Sequence, residues 1–255
     1  MADTGERSSS HVCVAYRGRA ELVEAVASFL RVGVERGERV QLIASGPSDA
    51  LAVAAEGMTG VEVRAADDVY EDSDGVRAYV RAAAEARRDG FTGLRVAAEV
   101  TDLVADDARR DAFVRYEHRI DREMAGGLPF AALCAYDVTR LGPDAVDELA
   151  CVHPESQGDG SPFHLFAADR ARLRLAGEVD GFSARGFAVA ATRVAGAHAG
   201  VVDVDCRDLR FADHVSLLAL DRVAHDHGLE LRLCDAPPIV HRVSSLLTLE
   251  HVGVA

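Results

Sequence analysis

The sequence predicts an α/β protein of two units, the larger built on a mostly parallel sheet. Three observations carry the prediction. Short apolar runs alternate with helical patterns along the first part of the chain. The 255 residues sit near the length where single cores stop growing, so two units are the expectation. No apolar run approaches the roughly 20 residues needed to span a bilayer, so no membrane partner is expected.

The elements follow in order. His11–Tyr16 is a short apolar strand. Leu22, Val26, Phe29, Leu30 and Gly33 recur at helical spacing and share one face. Arg39–Ser45 (RVQLIAS) is a buried strand, broken by Gly46-Pro47-Ser48, after which Asp49–Glu56 starts a helix. Val61–Arg64 is a strand, residues 75–89 form an Ala/Arg-rich helix ending near Gly90, and Gly93–Val100 is a strand carrying Arg95 and Glu99. Asp107–Met124 is a long helix with Phe113, Tyr116, Ile120 and Met124 inward. Phe130–Tyr136 is a core strand ending at Asp137. The Gly/Ser/Pro stretch 156–162 leads out to Phe163–Ala167, a short strand that either closes the first sheet or opens the second. From Leu173 the order is strand, helix, buried strand (Val201–Cys206), turn, and a helix starting at Asp213. The chain so divides into a disordered leader at 1–9, a first unit at 10–168 and a smaller second unit at 169–255.

Composition excludes several chemistries. The net charge is −14, with −13 over residues 1–169 and −1 over residues 170–255. An acidic chain without a basic stripe has no footprint for nucleic acid. The sequence contains no Lys and no Asn. It therefore has no Schiff-base lysine and no lysine for a phosphate-binding Walker A loop. Cys13, Cys134, Cys151, Cys206 and Cys234 form no C-x-x-C pair and are expected as free, mostly buried thiols. MADTGERSSS lacks the apolar core of a secretory signal, which points to a cytoplasmic location.

Six blocks in the first unit occur together. They are His11 in the first strand, with FLRVGVERGERV (Phe29–Val40); Tyr70 after Asp68-Val69; GFTGLRVAAEV (Gly90–Val100); RYEH around Glu117; LCAYD (Leu133–Asp137); and His153-Pro154. Residues 10–168 on this basis resemble the MEDS family, a sensory domain of methanogen and methylotroph regulators. The family usually carries a Trp shortly after the Glu99-type glutamate; here Asp102 stands nearby and the chain has no Trp. The resemblance implies a sensor pocket for a small ligand. The same segment is similar to a RecA/KaiC-like nucleotide-binding core without its Walker A loop, through GERVQLIASGPSDALAVAAEG (Gly37–Gly57). Gly46 and Ser48 could touch an anion weakly at the helix start; the plain alternative is a tight turn capped by Ser48.

The second unit carries L-x-G-E-V-D (Leu175–Asp180), a hydrophobic strand and F-x-D (Phe211–Asp213) in order. This combination resembles the STAS domain of anti-sigma-factor antagonists. The resemblance implies a module that binds partner proteins and is not itself an enzyme. The partner would be an anti-sigma factor or another STAS-containing regulator. The implied contact surface is Asp208, Asp213, His214, Ser216 and Leu217, with Leu218 following. Val215 stands where the family commonly carries a phosphorylated hydroxyl, and Ser216 falls one residue later.

Ligands of parallel α/β sheets sit beyond the carboxyl ends of the strands. By that position and by the MEDS resemblance, the pocket candidates are His11, Arg95, Glu99, Tyr136, Asp137 and His153. Arg95 with Glu99 or Glu117 is equally readable as a structural ion pair, because buried charges need partners. A soft-metal site competes, from His11-x-Cys13, Cys134 and Cys151-x-His153. The two pairs lie far apart in sequence and nothing in it forces them together, so no metal is assigned and no cofactor is named. Glu99 and Asp137 could act as an acid/base pair, but no nucleophile elbow or HExxH occurs. The sequence therefore points to a cytoplasmic signalling protein, ligand-sensing in its first unit and partner-binding in its second, with self-association open. The alternative is a degenerate nucleotide-binding protein or small enzyme working in the first unit.

Overall fold

Alternation of apolar strands and amphipathic helices builds the first unit. The computed structural model describes residues 10–44, 49–66, 75–158 and 161–255. The predicted leader, Gly46, Ser48 and Tyr70 lie outside the described residues. The strands are β1 (His11–Tyr16), β2 (Arg39–Ala44), β3 (Val61–Ala65), β4 (Leu94–Glu99), β5 (Phe130–Asp137) and β6 (Glu155–Gln157). The described helices of this unit are α1 (Arg19–Glu35), α2 (Asp49–Ala54), α3 (Gly75–Arg88), α4 (Asp107–Ala125), α5 (Val138–Leu141) and α6 (Pro143–Ala150). The sheet runs β3-β2-β4-β5-β1-β6 and every neighbouring pair is parallel.

Both faces of that sheet are covered, as parallel strands require. On one face Leu22, Val26 and Leu30 of α1 pack on Val12, Val14, Leu42, Ala97 and Leu133. On the other lie α3, α4 and α6. α4 begins at an Asp106 cap, whose carboxylate accepts the Arg109 backbone N–H at 2.9 Å. It ends at Gly126.

The second unit holds β7 (Phe163–Ala167), β8 (Leu173–Val179), β9 (Gly200–Asp205), β10 (Leu209–Ala212), β11 (Leu229–Cys234) and β12 (Val252–Val254). Its helices are α7 (Ala184–Ala195), α8 (His214–His227) and α9 (Pro238–Ser244). The order β10-β8-β9-β11-β12 is parallel, and β7 adds antiparallel to β8. Phe163–Ala167 therefore joins the second sheet and not the first. Gly177 permits this close pairing: its φ is +88°, and a Cβ there would stand 2.3 Å from the Pro162 carbonyl oxygen.

The two units share one apolar core, running from Cys13, Val114 and Cys134 through Phe163 and Phe187 to Val204 and Leu233. α4 sits at the join, touching both α7 and β7. Among the described residues no helix is long and apolar enough to cross a membrane.

Candidate functional site

Strand parity divides the buried polar residues of the first sheet between its two faces. Arg95 and Glu99 alternate with core residues of the α3/α4 side and so share the α1 side with Ala97, Leu133 and Tyr16. Cys134 and Tyr136 belong with Cys13 to the α4 side, and His11 meets α4 there through Glu117.

On the α1 side the candidates are partnered, although a cleft of about 820 Å³ runs beside Arg95, Phe29 and Leu133. The Arg95 guanidinium lies 4.4 Å from the centre of the Phe29 ring, and its Nε donates to Glu38 at 2.5 Å. The structural ion pair expected from the sequence exists, but its carboxylate is Glu38, neither Glu99 nor Glu117. The turn after α1 returns Glu38 to this spot, its N–H bonded to the Gly33 carbonyl at 2.9 Å. Glu99 accepts from the Tyr16 hydroxyl at 3.1 Å, from the Thr101 N–H at 3.1 Å and from the Thr101 hydroxyl. Burial first, then the Glu99 charge, push the Tyr16 phenol above its ordinary range. Asp137 caps α5, accepting from the Thr139 N–H at 2.8 Å and hydroxyl at 2.6 Å. Arg95, Glu99 and Asp137 are thus engaged in packing and capping, and do not share a pocket with the other three candidates.

The α4 side gathers those three. His11 and His153 rings stand 4.3 Å apart by their centres, and Tyr136 lies edge-on to His153. Glu117, from the middle of α4, reaches between them. Its Oε2 lies 2.6 Å from His11 Nε2 and 3.5 Å from His153 Nε2, and its Oε1 is 3.5 Å from Cys134 Sγ. All of these residues are buried. The second nitrogen of each imidazole faces an oxygen. His11 Nδ1 stands 3.4 Å from Asp121 Oδ1, and His153 Nδ1 lies 2.8 Å from the Leu149 carbonyl. Yet both His11 nitrogens, Glu117 Oε2, His153 Nε2 and the Tyr136 hydroxyl have no aligned hydrogen-bond partner among the described residues. The 2.6 Å His11–Glu117 approach is close, but it is not aligned for a hydrogen bond.

The electrostatics follow. Burial works against a charged His11, but the Glu117 charge, with Asp121 and Cys134, overrides it and holds the imidazole well above its usual range. Burial likewise acts to raise Glu117, and the two histidines bring it down to about 2. Burial first, then Glu117, push the Cys134 thiol to about 12. The position differs from the rule that placed the pocket beyond the strand ends. The cluster lies under the sheet, between β1, β5 and α4, because its sheet-borne members point into a helix-covered face.

Of the soft-metal candidates, the structure brings His11, Cys134 and His153 together and adds Glu117; their ligand atoms lie within 4.8 Å of one another. Cys13 and Cys151 are buried nearby but outside this set. Glu117 is visible in the sequence as an interior carboxylate one residue from Tyr116. What hides its partners is the lack of any local spacing between residue 11, residue 117 and residue 153.

α4 turns its other side to the second unit. The Asp121 carboxylate that flanks His11 also accepts the Ala167 N–H of β7 at 2.7 Å. His118 meets His198 with their Nε2 atoms 3.0 Å apart. Arg122 donates to the carbonyls of Arg170 and Ala197, and Arg193 of α7 pairs with Asp111 of α4 at 2.6 Å. Burial first, then His198 and Arg122, lower His118 to about 3; burial and Arg122 lower His198 to about 4.

At the start of α8, Asp213 is the N-cap and accepts the Ser216 N–H and hydroxyl, both at 2.8 Å. Ser216 and Leu217 are buried, so they cannot belong to a contact surface as expected. Asp208, His214, Val215 and Leu218 are exposed there. Phe182 is fully exposed on a loop whose Gly181 lies close to Asp213.

No curated protein and no solved structure matches the chain. One family profile does, described as the MEthanogen/methylotroph, DcmR Sensory domain, over residues 10–154. That span covers the first sheet from β1 to β5, stops short of β6, and ends just past His153. It supports a sensory role for the first unit. With more than half of its length matched, the chain belongs to the MEDS family.

Proposed function

We propose that this chain is a regulatory protein and not a catalyst. Its MEDS domain senses a small ligand, and its second unit acts as a STAS-like module that docks a partner protein, an anti-sigma factor or another STAS-containing regulator. One observation carries the reading: α4 serves both units. Glu117 and Asp121 address His11, while Asp121, His118, Arg122 and Asp111 hold the second unit. A change at His11 alters the Asp121 carboxylate, and that carboxylate already fixes the first sheet strand of the second unit. An element packed against both sites is one physical route for coupling between them.

The docking surface in this reading is the exposed end of the second sheet: Asp208, His214, Val215, Leu218 and Phe182. Apolar side chains on a polar surface suit a protein partner better than a charged small molecule. The test is calorimetric titration of the purified chain against purified anti-sigma factors. Binding that Asp208→Arg and Val215→Arg each weaken at least about tenfold (about 1.4 kcal/mol), and that Asp121→Asn alters from a distance, supports the reading. Binding to none of them, or binding indifferent to the two surface changes, overturns it.

A further inference from the structure

Four side chains from four separate stretches of chain converge under the first sheet, and their chemistry is that of a cation site. His153 makes the case most directly. Its Nδ1 lies 2.8 Å from the Leu149 carbonyl. A carbonyl only accepts, so Nδ1 carries the proton, and the ring's remaining lone pair, at Nε2, is the one available to a proton or a metal. That nitrogen is fully buried and has no hydrogen-bond partner among the described residues. It faces Glu117 Oε2, another acceptor, at 3.5 Å. Two buried acceptors aimed at each other repel unless a positive centre lies between them.

His11 repeats the arrangement. Its Nδ1 has the Asp121 carboxylate behind it and its Nε2 looks toward Glu117. A histidine backed by a carboxylate or carbonyl on one nitrogen and open on the other is how proteins present imidazole to a metal. Cys134 Sγ completes the set from β5. The proton on His11 answers part of the need, since it neutralises Glu117. It leaves His153 Nε2 and Cys134 without a role, and the His11–Glu117 approach is out of line for a hydrogen bond.

We propose that His11, Glu117, Cys134 and His153 bind one borderline divalent cation, zinc foremost. Two imidazoles, one thiolate and one carboxylate are a donor set for zinc and its neighbours in the first transition row. A divalent ion with ionised Glu117 and Cys134 leaves the four-ligand set itself neutral, with the Asp121 carboxylate held behind His11 by the Ala167 N–H. The geometry is near. Tetrahedral bonds of about 2.0–2.3 Å put ligand atoms about 3.3–3.8 Å apart, and those here lie within 4.8 Å of one another. A cavity of about 20 Å³ beside His11, Glu117 and Cys134 is otherwise walled by apolar and aromatic side chains such as Val96, Ala132 and Phe130. It has room for about one water-sized occupant. Binding exchanges the Cys134 thiol proton, and any proton on His11, for the ion, and both protons leave to solvent.

The proposal needs only these side chains and is independent of the docking surface. The experiment is titration of the full chain, stripped of metal by chelator, with Co²⁺ and then Zn²⁺. It is followed by absorbance, with metal content of the untreated protein measured alongside. The expected result is about one metal per chain, a thiolate-to-cobalt charge-transfer band with tetrahedral d–d bands, and loss of both on adding Zn²⁺. Cys134→Ser removes the charge-transfer band, Asp121→Asn weakens binding about 10–100-fold, and Cys151→Ser changes neither. Should Cys134→Ser fail to fold, Glu117→Gln is read in the same titration and loses the tetrahedral bands. A metal-free chain that gives no cobalt bands overturns the proposal and leaves the cluster to a proton or a buried water. A charge-transfer band that persists in Cys134→Ser overturns it as well. Metal binding without any anti-sigma-factor binding would leave this site standing and remove the docking reading.

Discussion

The two faces of the first sheet carry similar buried polar groups and treat them differently. On the α1 face every candidate is partnered: Arg95 with Glu38 and Phe29, Glu99 with Tyr16 and Thr101, Asp137 with Thr139. On the α4 face polar atoms of His11, Glu117, His153 and Tyr136 end without hydrogen-bond partners among the described residues. Buried polar groups are almost always satisfied in folded proteins, so a group of unsatisfied ones marks where something else binds. The first face is built for stability. The second keeps donor and acceptor capacity in reserve.

Substitutions should separate the faces. The largest loss of stability belongs to the partnered face. Arg95→Met strands the buried Glu38 carboxylate and should cost about 3–5 kcal/mol, read by urea unfolding; a cost below about 1 kcal/mol would show that the pair is dispensable. Next comes the open face. Zinc at about a hundred times its dissociation constant should add about 2.7 kcal/mol to the wild type. The same increment should appear in a folded Arg95→Met chain and vanish in Cys134→Ser. An equal increment in all three would mean that the two faces do not differ in this way.

A smaller effect tests the fit around Arg95. Gly33→Ala places a Cβ 2.6 Å from Arg95 Cδ, and should cost about 1–3 kcal/mol by overpacking. Urea unfolding of that variant, with and without zinc, should show the increment unchanged.

The join between the units should respond to acid. His118 and His198 are lowered from 6.5 to about 3 and about 4 in the folded chain, so the unfolded chain binds more protons between those limits. Their contribution is fully present above pH 6.5 and is lost as pH falls from there toward 4. His198 is partly exposed, so its share stays well under the about 1.4 kcal/mol per pH unit of a fully shielded group. Thermal melts of wild type and His198→Phe between about pH 7 and about pH 4 check this: the variant should lose less. The smallest stability effect is at the surface. Asp208→Arg should stay within about 0.5 kcal/mol of wild type while weakening partner binding.

Much of this architecture is legible in the sequence. The strand and helix order from His11 to Asp137 follows from periodicity, since apolar spacing near 2 or 3.6 residues is local information. Asp213 as the start of α8 follows from cap chemistry. The pocket is half legible: His11, Tyr136 and His153 do meet. Arg95, Glu99 and Asp137 share with them a place on or near strand ends, which does not show whether a side chain already has a partner. Ser216 and Leu217 escape the sequence pattern for a related reason. Near a capped helix start, one turn of rotation decides between surface and core, and Asp213 turns the Ser216 hydroxyl inward.

The sequence by itself determined the α/β class, the family of residues 10–154 and the residue types available for chemistry. Only the tertiary structure decided which of those residues meet. Alternation along a strand separates its two faces, but cannot say that Glu117 of α4 lies over His11 and Cys134. Nor can it say that a helix turn at Leu149 aims His153 at them, or that Glu38 has already claimed Arg95. Those contacts join stretches separated by 17 to 142 positions in the chain, and the packing of whole helices against the sheet sets them.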